Sequence, residues 1–151
     1  MIDITKIKKS ITSLLKNIKD IDVYYEYVEK TDSENKGFII DEFFHVALIP
    51  ITTNIFDENY NDKVFLVDIS YISKNPSNAL YYSWNEEMIA AFLPYINIDD
   101  RYITIYSSEF KVVEQVGHFT FTIKFSDISY AYENKKEEDV AEELDINFEE
   151  V

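Results

Sequence analysis

Several segments between residues 22 and 125 combine β-branched and aromatic residues with a period of two, and this pattern constrains the fold more than any other feature. Residues 64–72 (VFLVDISYI) predict a buried strand. Residues 43–49 have the same character, and Pro50 after them favours an edge position or a β-bulge. Only two glycines and three prolines occur in 151 residues, so we expect a strand-rich domain with few tight turns.

The second half of the chain predicts a hairpin. Residues 110–114 and 118–125 flank Gly117, and the second segment places four apolar residues on one side, Phe119, Phe121, Ile123 and Phe125. Further strands are predicted at residues 22–29 and 102–106, and polar connections at residues 30–36, 57–63 and 99–100. These elements together predict a mainly antiparallel sheet.

Two other segments have the period of an amphipathic helix. Residues 4–18 place six apolar side chains on one stripe, Ile4, Ile7, Ile11, Leu14, Leu15 and Ile18. Residues 78–93 follow Ser77, a typical N-cap, and Pro94 ends this second helix. The order of elements predicts an α+β domain whose mainly antiparallel sheet has the N-terminal and the central helix packed on one face.

The polar face of the first helix is basic, although the whole chain has a formal charge of −15. This face carries five lysines, Lys6, Lys8, Lys9, Lys16 and Lys19, against Asp3 and Asp20. It is either a solvated helix surface or a docking surface. In the second case Lys6, Lys8, Lys9 and Lys16 are candidate residues of a subunit interface.

The C-terminal segment differs in composition from the rest of the chain. Residues 133–151 hold nine acidic residues and two lysines, so we expect a single domain at residues 1–132 and an acidic C-terminal arm at residues 133–151. Within the arm, Leu144, Ile146 and Phe148 alternate with polar residues. The arm is either a solvated tail or an edge strand that adds to a neighbouring subunit, and in the second case these three residues belong to the interface.

The sequence offers little for catalysis or cofactor binding. It contains no cysteine, and His45 and His118 lie inside predicted strands, where a structural role is expected. Two glycines cannot form a phosphate-binding loop. Residues 57–62 match only part of a calcium-binding loop, and we interpret them as a hairpin loop. We therefore expect no catalytic residue, no cofactor, no metal site and no small-molecule substrate.

Charge and hydropathy exclude further classes of partner. An acidic chain is a poor generic binder of nucleic acid, because that affinity comes mainly from Lys and Arg on phosphates. No segment reaches the roughly 20 apolar residues of a membrane span, and the N-terminus lacks the apolar stretch of a signal peptide. The sequence predicts a cytosolic protein that binds other protein subunits, without specific nucleic acid binding and without a membrane.

The order of these elements resembles that of phage tail-terminator proteins, from contractile tails and related tail-like particles of low-GC Gram-positive bacteria. The resemblance covers nearly the whole chain and consists of patterns of apolar spacing. The family's hairpin turn more often carries Asp-Gly, whereas this chain has Val116-Gly117. The matching features are the helix at 4–18, the strands at 23–29, 43–49 and 64–71, the helical pattern Asn85-Glu86-Glu87-Met88, the hairpin at 112–121 and the acidic end of the chain.

The resemblance implies a homohexameric ring, or collar, that caps the tail tube and joins tube, sheath and neck, without cofactor or catalytic residue. Its partners would be copies of itself and the tail tube and sheath proteins, first in the cytoplasm of the bacterial host and then in an infectious phage or a headless tail-like particle. Another neck, head–tail connector or tube component is an alternative, as is an acidic DNA-mimic inhibitor. A mimic should spread carboxylates over its folded surface, whereas nearly half of the net charge here lies in one terminal segment.

Overall fold

A computed structural model describes residues 2–25, 42–55 and 59–128 of the chain. Helices and strands in this part confirm the predicted α+β class. The helices are α1 (Ile4–Ile18) and α2 (Asn78–Phe92), and the strands are β1 (Asp22–Tyr24), β2 (Phe43–Ile55), β3 (Tyr60–Ile72), β4 (Tyr95–Ile98), β5 (Arg101–Thr104), β6 (Ser108–Val113) and β7 (Val116–Ile128).

Five of the strands form one sheet in the order β1-β2-β3-β7-β6, and β4 and β5 form a separate two-stranded hairpin. Strand β1 is parallel to β2, and every other neighbouring pair in the large sheet is antiparallel. The three central strands each have 13 residues and pair over almost their whole length. The predicted antiparallel character is therefore confirmed, with one parallel pair at the edge.

Helix α2 packs on one face of the sheet through a cluster of aromatic rings. The registers align Phe44 of β2 with Tyr71 of β3, and Tyr71 with Gly117 of β7, so these three positions share a face. The ring of Trp84 lies 6.1 Å from that of Phe44 and 5.4 Å from that of Tyr71, between ring centroids. Aromatic pairs at such distances add about 0.5–1.5 kcal/mol beyond the area they bury.

The apolar stripe of α1 joins the same core. Ile7, Ile11 and Leu15 are fully buried, whereas Ile4 at the start of the predicted stripe is exposed. Full burial of one such side chain contributes about 1.5–3 kcal/mol. The N-terminus is also fixed, because the backbone amide of Ile2 donates to the Asp127 carboxylate at 2.5 Å.

Both helices begin at the residues that their sequences indicate. The Asp3 carboxylate accepts from the backbone amide of Lys6 at 2.9 Å, and the hydroxyl of Ser77 accepts from the amide of Leu80 at 3.1 Å. Each cap satisfies an amide that has no partner within its helix. The predicted N-cap at Ser77 is confirmed, and α2 ends just before Pro94, which follows a cis peptide bond.

The hairpin between β6 and β7 turns at a different place from the one predicted. Glu114 and Gln115 form the turn with φ values of 50° and 65°, and Gly117 lies inside β7. Tyr81 explains the glycine, because a Cβ atom at position 117 would lie 2.7 Å from its Cδ1 atom. The glycine therefore allows α2 to approach the sheet, while the turn is made by residues with side chains.

Four other predictions are settled in the described part of the chain. Pro50 does mark a β-bulge, since the register of β2 against β3 shifts between Pro50 and Thr52. Asp99 and Asp100 do form a turn, with φ values of 52° and 64°. The loop predicted at 57–63 is wrong from residue 60, where β3 begins, and the strand predicted at 102–106 occupies Arg101–Thr104.

Three predictions reach beyond the described residues. Only Asp22–Tyr24 of the strand predicted at 22–29 is a strand, and residues 26–29 lie outside the described part. The loop predicted at 30–36 and the arm at 133–151 also lie outside it. Strand β4 was not predicted, because its four residues are too few for a clear alternation.

The close approach at Gly117 yields a stability prediction. We expect Gly117→Ala to lower the free energy of unfolding by about 1–3 kcal/mol, because the added methyl group must displace the buried Tyr81 ring. Urea unfolding of the full chain measures the change. The matched control is Gln115→Gly, which relieves a positive φ and should leave stability unchanged or raise it by up to about 1 kcal/mol. Equal stability of Gly117→Ala and the parent chain would contradict the packing role.

Candidate interaction surfaces

The lysine face of α1 is partly engaged within the domain itself. The ammonium of Lys6 lies 2.8 Å from the carboxylate of Asp99, in the turn between β4 and β5. This hydrogen bond raises the pKa of Lys6 and lowers the pKa of Asp99. Lys16 lies 3.6 Å from Asp20, one helical turn further on, and both side chains are largely exposed. Exposed pairs of this kind contribute little to stability, so both lysines can also contact a partner.

Two other lysines on this face have different surroundings. The ammonium of Lys8 lies 5.2 Å from the centre of the Tyr25 ring, whose hydroxyl donates to the Lys8 carbonyl at 2.8 Å. Lys9 lines a cleft between α1 and the β4–β5 hairpin. The cleft has a volume of about 560 Å³, and seven of its eight lining residues are polar or charged types: Lys6, Lys9, Ser10, Ser13, Leu14, Asn97, Asp99 and Asp100. Lysines, serines and acidic residues thus meet on one open surface.

The lysine face cannot be compared directly with the other half of the predicted interface. Leu144, Ile146 and Phe148 lie outside the described residues, as does the whole acidic arm. The structure therefore places Lys6, Lys8, Lys9 and Lys16 on one helix, and the contact between this helix and the arm stays a prediction.

Lys19 belongs to a network that joins α1 to the sheet. Its ammonium forms an ion pair with Glu42 and donates to the hydroxyl of Tyr71 at 2.8 Å. The hydroxyl of Ser73 donates to Glu42 at 3.0 Å. The hydrogen bond from Lys19 is the main reason that the pKa of Glu42 is lowered, and the bond to Glu42 is the main reason that the pKa of Lys19 is raised. This lysine is therefore structural.

The surroundings of His118 differ from those of the histidine in a nucleophile triad. The Nδ1 atom of His118 lies 3.1 Å from the hydroxyl of Ser70 and 3.3 Å from the carboxylate of Asp68. A nucleophile triad needs the serine on one ring nitrogen and the carboxylate on the other, whereas here both contact the same nitrogen. His118 thus has the structural surroundings that were expected, and His45 lies opposite Ser70 in the neighbouring strand.

Both sides of the large sheet have stretches without a strand partner in the described part of the chain, and two of them differ most in chemistry. One is β6, whose exposed side chains include Glu109 and Lys111. The other is the length of β2 from Val46 onwards, because β1 pairs only with Phe43–His45. Unpaired edges present backbone donors and acceptors that can bind another strand.

A third exposed feature was missed in the sequence. The hairpin of β4 and β5 presents Tyr95 and Tyr102, whose ring centroids are 5.0 Å apart, and Tyr106 just after it is 90% exposed. Ile103 and Ile105 on the opposite side of this segment are buried. The alternation Tyr-Ile-Thr-Ile-Tyr predicted a strand but not which side faces the core. Exposed tyrosines are enriched at protein interfaces.

Metal binding and membrane insertion find no support in the described residues. Within residues 2–25, 42–55 and 59–128, no three His, Asp or Glu side chains are grouped so that they could hold a metal ion. In the same part of the chain, neither helix has the length and apolar character that crossing a membrane requires.

Comparison with known proteins gives one match that covers most of the chain. The family model described as phage tail terminator protein matches residues 6–139. No curated protein matches the chain. A solved structure of a protein without a functional name covers 85% of this chain and 96% of its own, with 11% identity and a TM-score of 0.45, which is too low to carry an argument.

The Lys19–Glu42 pair predicts how stability depends on pH. The folded-state pKa of Glu42 is lowered, so its contribution is present above its ordinary pKa of 4.5 and is lost as the pH falls through the folded-state value. We expect Glu42→Gln to destabilise the domain by about 1 kcal/mol at pH 7, because the pair is only partly buried. Urea unfolding at pH 7 and pH 3 should show this difference shrinking towards zero. A difference that is the same at both values would exclude the ionic contribution.

Proposed function

This chain belongs to the phage tail terminator family, and on that premise we propose that it forms a ring that caps the tail tube and joins tube, sheath and neck. The family has a structural role in tail assembly, so the chain is a component of the tail particle and interacts with other tail proteins. The observation that carries the proposal is the family match, which extends from α1 through the whole described sheet.

We propose a homohexamer as the form of this ring. A closed ring uses a heterologous interface, so each subunit needs two different and complementary surfaces. The described domain has two unpaired edges of different chemistry, since β6 carries charged side chains and the outer half of β2 carries none. It also has a lysine-bearing helix, and the sequence ends in an acidic segment. Such unlike surfaces support head-to-tail contacts between copies.

One subunit contact in this proposal pairs Lys6, Lys8, Lys9 and Lys16 with the acidic arm of a neighbouring copy. Lys6 and Lys16 already have carboxylate partners within the domain, at Asp99 and Asp20. Lys8 and Lys9 therefore contribute most of the positive charge that a neighbour can use. Leu144, Ile146 and Phe148 add apolar contacts to this interface.

The remaining parts of the proposal concern chemistry and location. A ring subunit needs no catalytic residue, cofactor or small-molecule substrate, and the single-nitrogen contacts of His118 fit this role. Assembly takes place in the cytoplasm of the bacterial host, and the exposed tyrosines of the β4–β5 hairpin are suited to contact the tube or sheath protein. The net charge of −15 disfavours adhesion of DNA to the ring.

The mass in solution tests the ring. Six copies of a 17.8-kDa chain weigh about 107 kDa. Light scattering after size exclusion should give this mass for the protein alone, or a complex heavier than this after addition of the tail tube protein. A mass of 17.8 kDa under both conditions would exclude the homohexamer.

Removal of the arm tests the proposed contact. A chain ending at Tyr132 should keep its folded domain but lose the ring, because the acidic partner of the lysine face is absent. Reversal of charge in Lys8→Glu/Lys9→Glu should weaken the ring at least tenfold, and the reversal should be milder at high salt. The matched control is Lys111→Glu/Lys124→Glu, which reverses two exposed lysines on the other face of the sheet. A truncated chain that forms a ring of unchanged size would refute the contact.

A further inference from the structure

Strand β2 from Val46 onwards lacks the charged side chains that normally protect a strand edge. Over all 13 residues of β2, Phe43–Ile55, there is no charged side chain. Three isoleucines along its outer part are exposed: Ile49, Ile51 and Ile55, the last at 78%. Natural edge strands usually carry a lysine or another charge that prevents pairing with a second chain. Pro50 and the bulge beside it do protect this edge, but they lie only at the start of residues 51–55.

The opposite edge of the same sheet follows the usual rule. Strand β6 has six residues, and Glu109 and Lys111 are exposed on it. The two edges therefore differ in charge and in length. An uncharged edge with exposed isoleucines is expected where another strand covers it.

We propose that the edge of β2 from the bulge residue Ile51 to its end, residues 51–55, is completed by residues 144–148 of a neighbouring copy of this chain. This inference rests on the proposed ring and names the surface that receives the arm. Residues 144–148 form a five-residue segment with Leu144, Ile146 and Phe148 at a period of two, which is the pattern of an added strand. The segment of β2 from the bulge residue Ile51 to Ile55 has the same length.

The charges beside this edge complement the arm. Lys63 pairs with Thr53 in the adjacent strand. Lys8 lies over Tyr25, the residue after the end of β1, at the point where the outer side of β2 becomes unpaired. The segment 144–148 is flanked by Glu143 and Glu149. An acidic arm on residues 51–55 would therefore have Lys63 across from its middle residue, and Lys8 lies beside the other end of the unpaired side of β2.

The length of the chain allows the arm to reach a neighbour. Strand β7 ends at Ile128, which pairs with Tyr60 at the same end of the sheet as Ile55. Sixteen residues lead from there to Leu144, a distance of up to about 50 Å when extended. That exceeds the diameter of a domain of this size, so the arm can cross from one copy to the next. Addition to the β2 edge of the same chain would require the arm to turn back, and it is an alternative that the experiment must separate.

Engineered cysteines test the pairing, since the chain has no native cysteine. Thr53 and Ile146 are the middle residues of the two segments, so they lie opposite each other in either strand direction. Opposite residues of adjacent strands are about 4.5–5.5 Å apart between Cα atoms, which permits a disulfide. The full-length variants Thr53→Cys and Ile146→Cys are mixed in equal amounts and oxidised. We expect a mixed dimer containing up to about half of the chains, because in a randomly mixed ring half of the Thr53→Cys chains have an Ile146→Cys neighbour on the correct side. Peptide mass should identify the 53–146 disulfide.

The matched control moves the cysteine of the receiving strand from β2 to β6, the other edge of the sheet. Lys111→Cys on β6 mixed with Ile146→Cys should give at least tenfold less mixed dimer. In a second pair of variants, Ile51→Lys should weaken ring formation at least tenfold, whereas Val113→Lys on the β6 edge should not. Ile51 and Val113 are similarly exposed, at 53% and 45%, so both variants should keep the circular dichroism of the parent.

The outcomes separate this inference from the ring itself. A disulfide formed only within one chain, in the double variant Thr53→Cys/Ile146→Cys, would overturn the exchange between copies. Efficient crosslinking to position 111 would assign the arm to the β6 edge instead. A ring of about 107 kDa that gives no mixed dimer and tolerates Ile51→Lys would overturn this inference and leave the proposed ring standing. A 17.8-kDa monomer that gives no mixed dimer would overturn both.

Discussion

The contact between α2 and the backbone of Gly117 determines how the rest of the domain is arranged. At this point Tyr81 and Trp84 meet β7 so closely that a Cβ atom would lie 2.7 Å from the Tyr81 ring. The Tyr81 hydroxyl also donates to the carbonyl of Gln115 at 2.6 Å, which connects the helix to the β6–β7 turn. With α2 held this close, the Trp84 ring reaches Phe44, Tyr71 and Phe119 on three different strands. The helix thereby fixes the face of the sheet that becomes the core, and it leaves the other face and the edges for contacts.

The sequence predicted those elements whose signals are local. Helix α1 has the bounds that its apolar stripe indicates, and α2 begins directly after its capping residue Ser77. The bulge at Pro50 also follows from one residue, because proline cannot donate to the ladder. In each of these cases the determining interaction lies within a few positions along the chain.

The features that were not predicted depend on contacts between distant positions. The turn at Glu114 and Gln115 forms because the registers of β6 and β7 leave two residues between them, and neither residue is a typical turn former. The local sequence around Gly117 predicted a turn at this residue. The structure shows that the glycine instead makes room for Tyr81, which lies 36 positions away in sequence. Lys19 looked like one more lysine of a basic face until the structure paired it with Glu42. Among the described residues β1 pairs with β2 only at Phe43–His45, and no local pattern reveals where this pairing stops.

The exposed surfaces and strand edges of the domain support a function in binding other subunits. An exposed edge also carries a risk of uncontrolled association, and this risk indicates how the edge is used. An exposed, uncharged strand edge lets copies associate without control while the protein is free, so it is maintained only where a specific strand covers it. The domain protects β6 with charges but leaves Ile51 and Ile55 of β2 uncovered among the described residues. A tail component can tolerate such an edge when its own chain supplies the covering strand, because the arm is then present at the same concentration as the edge. An arm that carries many acidic residues would also keep unassembled copies apart by repulsion and would favour only the neighbour that presents lysines beside the edge.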